Sequence, residues 1–131
     1  MVVIGSDSPT LDADYLHSAF AAIEDHDIVI GPAEDGGYLL IGCARLHVRP
    51  FQRIPWGTSK VLAETKRRLR REKIPYALLR SGHDLDTRED VIRTYRELEH
   101  LEEVGAPPPA PRTLQALREI LWSRQEWLQT T

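Results

Sequence analysis

Three aspartates set just beyond apolar runs are the residues of this chain best suited to chemistry. Asp7 follows Val2-Val3-Ile4-Gly5. It is small, anionic and delivered by what reads as a rigid strand. That suits a hard cation such as Mg2+, which takes few protein carboxylates and completes its shell with water and phosphate. Asp84 and Asp86, in the stretch Ser81-Gly82-His83-Asp84-Leu85-Asp86, can supply further ligands from a neighbouring strand end. An aspartate after a strand equally serves as a helix cap or an Asx turn. Taken jointly, Asp7, Asp84 and Asp86 favour the metal.

A second group clusters in Glu34-Asp35-Gly36-Gly37. Two acids on one short turn concentrate charge that a turn alone does not need. Asp35 can orient an acceptor hydroxyl or act as a base. The glycine pair lets backbone pass close to a ligand or adopt positive φ, and it also fits a tight turn. Trp56-Gly57-Thr58-Ser59 puts an aromatic ahead of a helix start, whose N–H groups can meet an anion. An ordinary cap beside a packed tryptophan reads the same way. No G-x-x-x-x-G-K-[ST] loop, G-x-G-x-x-G or G-x-S-x-G occurs.

Apolar patterning supplies the elements that carry these residues. Val2–Gly5 reads as a strand apolar on both faces, hence buried and parallel in type. Pro9 ends it, and Thr10 or Asp12 can cap a helix with Leu16, Ala19, Phe20 and Ile23 inside. Residues 27–32, "DIVIGP", form a second strand stopped at Gly31-Pro32. Residues 37–44, "GYLLIGCA", form a third that follows too closely for a helical crossover and so runs antiparallel. A loop with Pro50 and Pro55 leads to a helix over 58–73, capped by Thr58 or Ser59. A fourth strand at 75–80 and a helix at 88–103 capped by Thr87 follow. "GAPPPAP" (105–111) is a stiff linker, and a last helix spans about 112–129. In an open α/β sheet, ligands bind at the carboxyl ends of the strands. The loops bearing Asp7, Asp35 and Asp84-Asp86 follow three such ends, so co-directional strands bring them to one rim.

The bulk numbers set limits. At 131 residues, 41% apolar and 28% charged, the chain holds an ordinary globular balance. A net charge of -3 argues against a general nucleic-acid binder. No apolar run spans a bilayer. Residues 1–20 lack the basic start and apolar core of a signal peptide. The one cysteine, Cys43, allows no internal disulfide, so a cytoplasmic setting is expected. Residues 58–73 carry Lys60, Lys66, Arg67, Arg68, Arg70, Arg71 and Lys73 against Glu64 and Glu72. This basic helix can help retain phosphate, or it is simply a solvated face.

Four blocks, "VVIGSDSPTL", "DIVIGPAEDGGYLLIG", "IPWGTSKVLAET" and "HDLDTREDV", occur in one order over residues 2 to about 98. Together they resemble a bacterial family of uncharacterised glycosyltransferase-A-like proteins (DUF2064 type). These are distant relatives of the nucleotide-diphospho-sugar transferases and of the molybdenum cofactor and 2-phospho-lactate guanylyltransferases. The resemblance implies metal binding by Asp7 and Asp86, with Mg2+ or Mn2+ as cofactor. It implies an acceptor-side loop of Asp35, Gly36 and Gly37, with Asp35 catalytic. It implies a pocket-closing loop and helix start at Trp56, Thr58 and Ser59. The donor would be a nucleoside-diphosphate sugar or a nucleotide, and the acceptor a small molecule.

The expected fold is a truncated glycosyltransferase-A, Rossmann-like α/β domain over 1–104. It has a mixed sheet of about four strands, followed by the linker and a C-terminal helix at 112–131. Members of the family usually carry a further N-terminal half with a nucleotide-binding loop. The chain is therefore expected to be a fragment, a shortened paralogue or one part of an assembly, and an exposed sheet edge to favour a homodimer. The alternative to a transferase is an inactive or partial domain that binds a partner or a phosphorylated ligand. A phosphohydrolase with Asp7 as nucleophile is disfavoured, because Pro9 stands where its second aspartate belongs.

Overall fold

A computed structural model describes residues 1–129. Residues 130 and 131, part of the expected C-terminal segment, lie outside it. The strands are β1 (Val2–Ile4), β2 (Ile28–Pro32), β3 (Tyr38–Cys43) and β4 (Tyr76–Leu78). The helices are α1 (Ala13–Asp25), α2 (Val61–Arg71), α3 (Arg88–Glu103) and α4 (Pro111–Ser123), with 3-10 turns at Arg49–Phe51 and Gln125–Trp127. The four strands form one mixed sheet in the order β1-β3-β2-β4. β3 is antiparallel to β1 and β2, while β2 and β4 are parallel. β1, β2 and β4 therefore point the same way, and their carboxyl ends share one edge of the sheet with the start of β3. The α/β class, the mixed four-stranded sheet and the reversed third strand are as the sequence predicts.

Contacts along the chain divide it into two compact units. The first holds Met1–Gly5 and Ala13–His83, and the second holds Ser6–Asp12 and the chain from Asp84 onward.

The first unit contains the sheet with α1 and α2. β2 is its centre: Ile28, Val29 and Ile30 are fully buried, and Leu39 and Leu40 of β3 nearly so. Leu69 of α2 and Ile74 join Ile28 and Ile30 in the core, with Tyr38, Phe51 and Leu62 packed around them. Each such aliphatic side chain contributes about 1.5–3 kcal/mol through burial.

Several expectations are corrected here. β1 is not a buried parallel strand. It is an edge strand, with Val3 51% and Ile4 48% exposed. The cause is the β2–β3 hairpin, which inserts β3 between β1 and β2. β2 runs on through Gly31-Pro32 with a register shift there, so proline's missing N–H falls at an irregularity. α1 turns Tyr15 and Ala19 inward, whereas Phe20 is exposed. α2 begins at Val61 rather than 58.

In the second unit, α3 follows its expected bounds because both ends are locally coded. Thr87 Oγ1 accepts the Asp90 N–H at 3.1 Å, and Asp90 returns a carboxylate to the Thr87 N–H at 2.9 Å. At the other end Gly105 takes φ +77, Ala106 N–H bonds Leu101 C=O and Gly105 N–H bonds Glu102 C=O. That pattern is a Schellman motif. Pro111 starts α4 where no N–H is required. Leu114 and Leu117 of α4 pack on Leu98 of α3, and Arg118 pairs with Glu102 at 2.5 Å. α4 ends at Ser123, earlier than expected, and its Trp122 is 79% exposed. No helix among the described residues is long and apolar enough to cross a membrane.

Candidate functional site

The second unit brings its acidic segments together. Leu85 N–H donates to the Asp7 carbonyl at 3.0 Å. The hydroxyl of Ser8, a buried residue, bonds Asp84 Oδ1. The turn carrying Asp84 and Asp86 is thereby fastened to the segment carrying Asp7 by one backbone and one side-chain bond. Asp84 and Asp86 each offer a carboxylate oxygen, and these lie within 4.8 Å of one another. Asp7 does not come within that distance of both. Asp7 and Asp86 are exposed, and Asp84 is partly buried. Ser8 is the residue the sequence reading missed. Its hydroxyl orients a carboxylate, a role that residue type alone does not announce. Its signal in the sequence is its place directly after Asp7.

In the first unit, the turn after β2 is built by its own backbone. Gly36 N–H bonds Ala33 C=O at 3.1 Å, and Ala33 N–H bonds Gly37 C=O at 3.0 Å. Asp35 closes an Asx turn, its Oδ1 accepting the Gly37 N–H at 2.8 Å. Its side chain is exposed. Gly36 has φ +93, and a Cβ there would lie 2.1 Å from the carbonyl oxygen of Ser59. The close approach at Gly36 is thus to the protein's own chain. Its carbonyl in turn accepts the Leu62 N–H at 2.8 Å, joining the turn to the first turn of α2.

That bond corrects the expected anion-binding helix start. The N–H groups of Lys60, Val61 and Leu62 are already engaged, by Thr58 Oγ1, Thr58 C=O and Gly36 C=O. Nor does Thr58 or Ser59 cap α2. Lys60 is the N-cap and makes no side-chain cap bond. Thr58 instead donates to Pro55 C=O at 2.7 Å and stiffens the approach. Trp56 is 58% exposed and stands edge-on to Tyr38, with ring centroids 6.1 Å apart. Tyr38 also bonds Thr65, and burial raises its pKa, with Thr65 and Arg68 opposing. Burial likewise pushes the Cys43 thiol up, so it behaves as a packed side chain rather than a nucleophile.

Residues 1–58 match the family described as "Uncharacterized protein conserved in bacteria (DUF2064)". That stretch includes Asp7, Asp35, Gly36, Gly37, Trp56 and Thr58 and stops short of Ser59, Asp84 and Asp86. No curated protein matches the chain. Among solved structures, the chain is similar to a protein from Desulfovibrio desulfuricans G20 assigned as a nucleotide-diphospho-sugar transferase. The TM-score is 0.82 at 29% identity, over 96% of this chain and 53% of that one. This chain therefore spans about half the length of that protein.

Proposed function

We propose that this chain, whose residues 1–58 match the DUF2064 family and whose fold is similar to that of a nucleotide-diphospho-sugar transferase, contributes to a metal-dependent transferase. The reaction would be transfer from a nucleoside-diphosphate sugar, or of a nucleotidyl group, to a small acceptor. The observation that carries this reading is the paired carboxylates of Asp84 and Asp86, 4.8 Å apart or less, on a turn bonded to Asp7. An all-oxygen, acidic donor set fits Mg2+ or Mn2+. Asp84 and Asp86 would hold the cation, with Asp7 on the segment bonded to their turn. When bound, such a cation neutralises charge developing on phosphate oxygens. Ser8 keeps one oxygen of Asp84 fixed. Asp35, one oxygen tied to its turn, keeps the other to accept the proton of an acceptor hydroxyl. Trp56 presents an exposed aromatic surface on which a flat or apolar part of the substrate can rest.

Calorimetric titration of nucleoside diphosphates with Mg2+ or Mn2+ tests this. Binding should need the metal and fall in Asp86→Ala and Asp7→Ala. Metal-dependent binding that both variants leave untouched would sink the assignment.

A second reading, a domain that binds a partner instead of catalysing alone, is favoured by β1. This edge strand leaves Met1, Val3 and Ile4 largely exposed. Absence of heat with every nucleotide, together with self-association, would favour it.

A further inference from the structure

We propose that the groove between the Arg49–Phe51 turn and the C-terminal half of α2 binds a small oligophosphate, a ligand with two or more adjacent phosphoryl groups. The groove is open, about 640 Å³ in volume, and five of the residues lining it are arginines. Arg49 and Arg53 come from the turn and the residues just after it. Arg67, Arg68 and Arg71 come from α2. Guanidinium groups suit this ligand because each offers a planar fork of donors matched to phosphate oxygens.

The bland account is that cations in the last turn of a helix complement its dipole. That covers Arg68, Arg70 and Arg71. It does not cover Arg49 and Arg53, which belong to a different segment and face the same groove. Neither makes an ion pair among the described residues. Arg67 and Arg71 are also like charges four apart, a spacing that destabilises a helix unless something anionic lies between them. The acids at hand are too few to neutralise the set. Glu64 serves both Arg67 and Arg68, and Glu72 stands 3.7 Å from Arg71.

The groove is also held in shape. Arg68, only 16% exposed, donates to the carbonyls of Gln52 and Arg53 and to Glu64 at 2.6 Å. It thereby ties the turn to the helix before any ligand arrives. Arg53 is fixed at φ +54, a conformation that a non-glycine residue rarely adopts. A preformed basic groove of this size lies within the range of small-molecule sites, about 300–1,000 Å³. A long polyanion would need a basic stripe across the surface. Here the net charge is -3, and the preceding sequence from 1 to 48 is acidic.

The test is calorimetry on the whole chain in chelator, with pyrophosphate as the probe and orthophosphate beside it. Pyrophosphate should bind more tightly than orthophosphate and weaken as salt rises. The doubly substituted Arg49→Ala/Arg53→Ala chain should lose about tenfold or more in affinity. Arg49→Lys/Arg53→Lys should lose part of it, since charge stays and the fork is gone. Both pairs of side chains are exposed, so circular dichroism should be unchanged. Asp86→Ala should bind pyrophosphate as the parent does, which keeps this groove separable from the carboxylate turn. Pyrophosphate binding indifferent to the arginine substitutions, lost in Asp86→Ala, or no stronger than that of orthophosphate would overturn the proposal. So would arginine-dependent binding of RNA or of anionic lipid vesicles with no pyrophosphate heat.

Discussion

Gly36 answers to two constraints at once, its φ of +93 and the Ser59 carbonyl 2.1 Å from where a Cβ would sit. Gly57 answers to one, a φ of +74 with open space beside it. The two glycines separate strain from crowding. Gly57→Ala should cost about 1 kcal/mol, whereas Gly36→Ala should cost about 3 kcal/mol or more. Urea unfolding of both variants checks this, and equal losses would mean that the turn can move away from Ser59. Glu64 offers a second residue-scale prediction. Its two arginine partners, Arg67 first, lower its pKa from 4.5 to about 2. A depressed carboxyl stabilises fully above its unfolded value and loses that contribution as pH falls through its folded one. Thermal stability should therefore drop between about pH 4.5 and 2, and the drop should be shallower in Glu64→Gln. Identical acid profiles would refute the pairing. The candidate aspartates were legible because residue type and position after a strand announce them. The crowding of Gly36 by Ser59 was not, because it joins segments far apart in sequence.

Helix ends show the same divide between local and distant information. α3 starts and stops where its sequence says, because Thr87, Asp90 and Gly105 are all within a turn of the ends they close. Thr87→Ala removes the side-chain acceptor of that capping box and should cost about 1 kcal/mol in chemical denaturation. Thr87→Ser should restore most of it. A negligible loss in Thr87→Ala would show that packing of α4 on α3 holds the helix start without the cap. α2 is the opposite case. Thr58 and Ser59 are good capping types, yet the helix begins at Val61, with Leu62 N–H taken by the carbonyl of Gly36. A carbonyl from the preceding hairpin outcompetes the hydroxyl that propensity favours. α1 also departs from its expected stripe. Tyr15 reaches the Arg80 carbonyl at 2.9 Å and lies under that residue's guanidinium, so the polar end of a tyrosine sets which face turns inward. Apolar spacing alone does not carry that preference.

The sheet's strand order decides what its apolar strands can do. Counting apolar residues predicts a central β1, and the hairpin places it at the edge. Met1 C=O, Val3 and Gly5 N–H face β3, since Cys43 N–H bonds Met1 and Gly5 N–H bonds Leu39, with Val3 opposite Ile41 between them. In an antiparallel ladder the alternate residues turn their backbone groups the other way, so Val2 and Ile4 present N–H and C=O outward. Those groups lie beside the side chains of Met1, Val3 and Ile4, exposed by 74%, 51% and 48%. Within Val2–Ile4 no charged side chain, proline or bulge blunts this edge, the usual means of keeping such strands apart. A second copy meeting it by two-fold symmetry would set the same residues against each other, so any charge placed there is doubled across the interface. Sedimentation velocity should accordingly show reversible self-association that rises with concentration in the micromolar range. Val3→Lys should shift it toward monomer without changing the circular dichroism spectrum, because the strand's bonds to β3 involve only its backbone. A parent chain that sediments as a concentration-independent monomer would show that two outward residues are too short a ladder to hold a partner, and would leave β1's apolar face to a different strand.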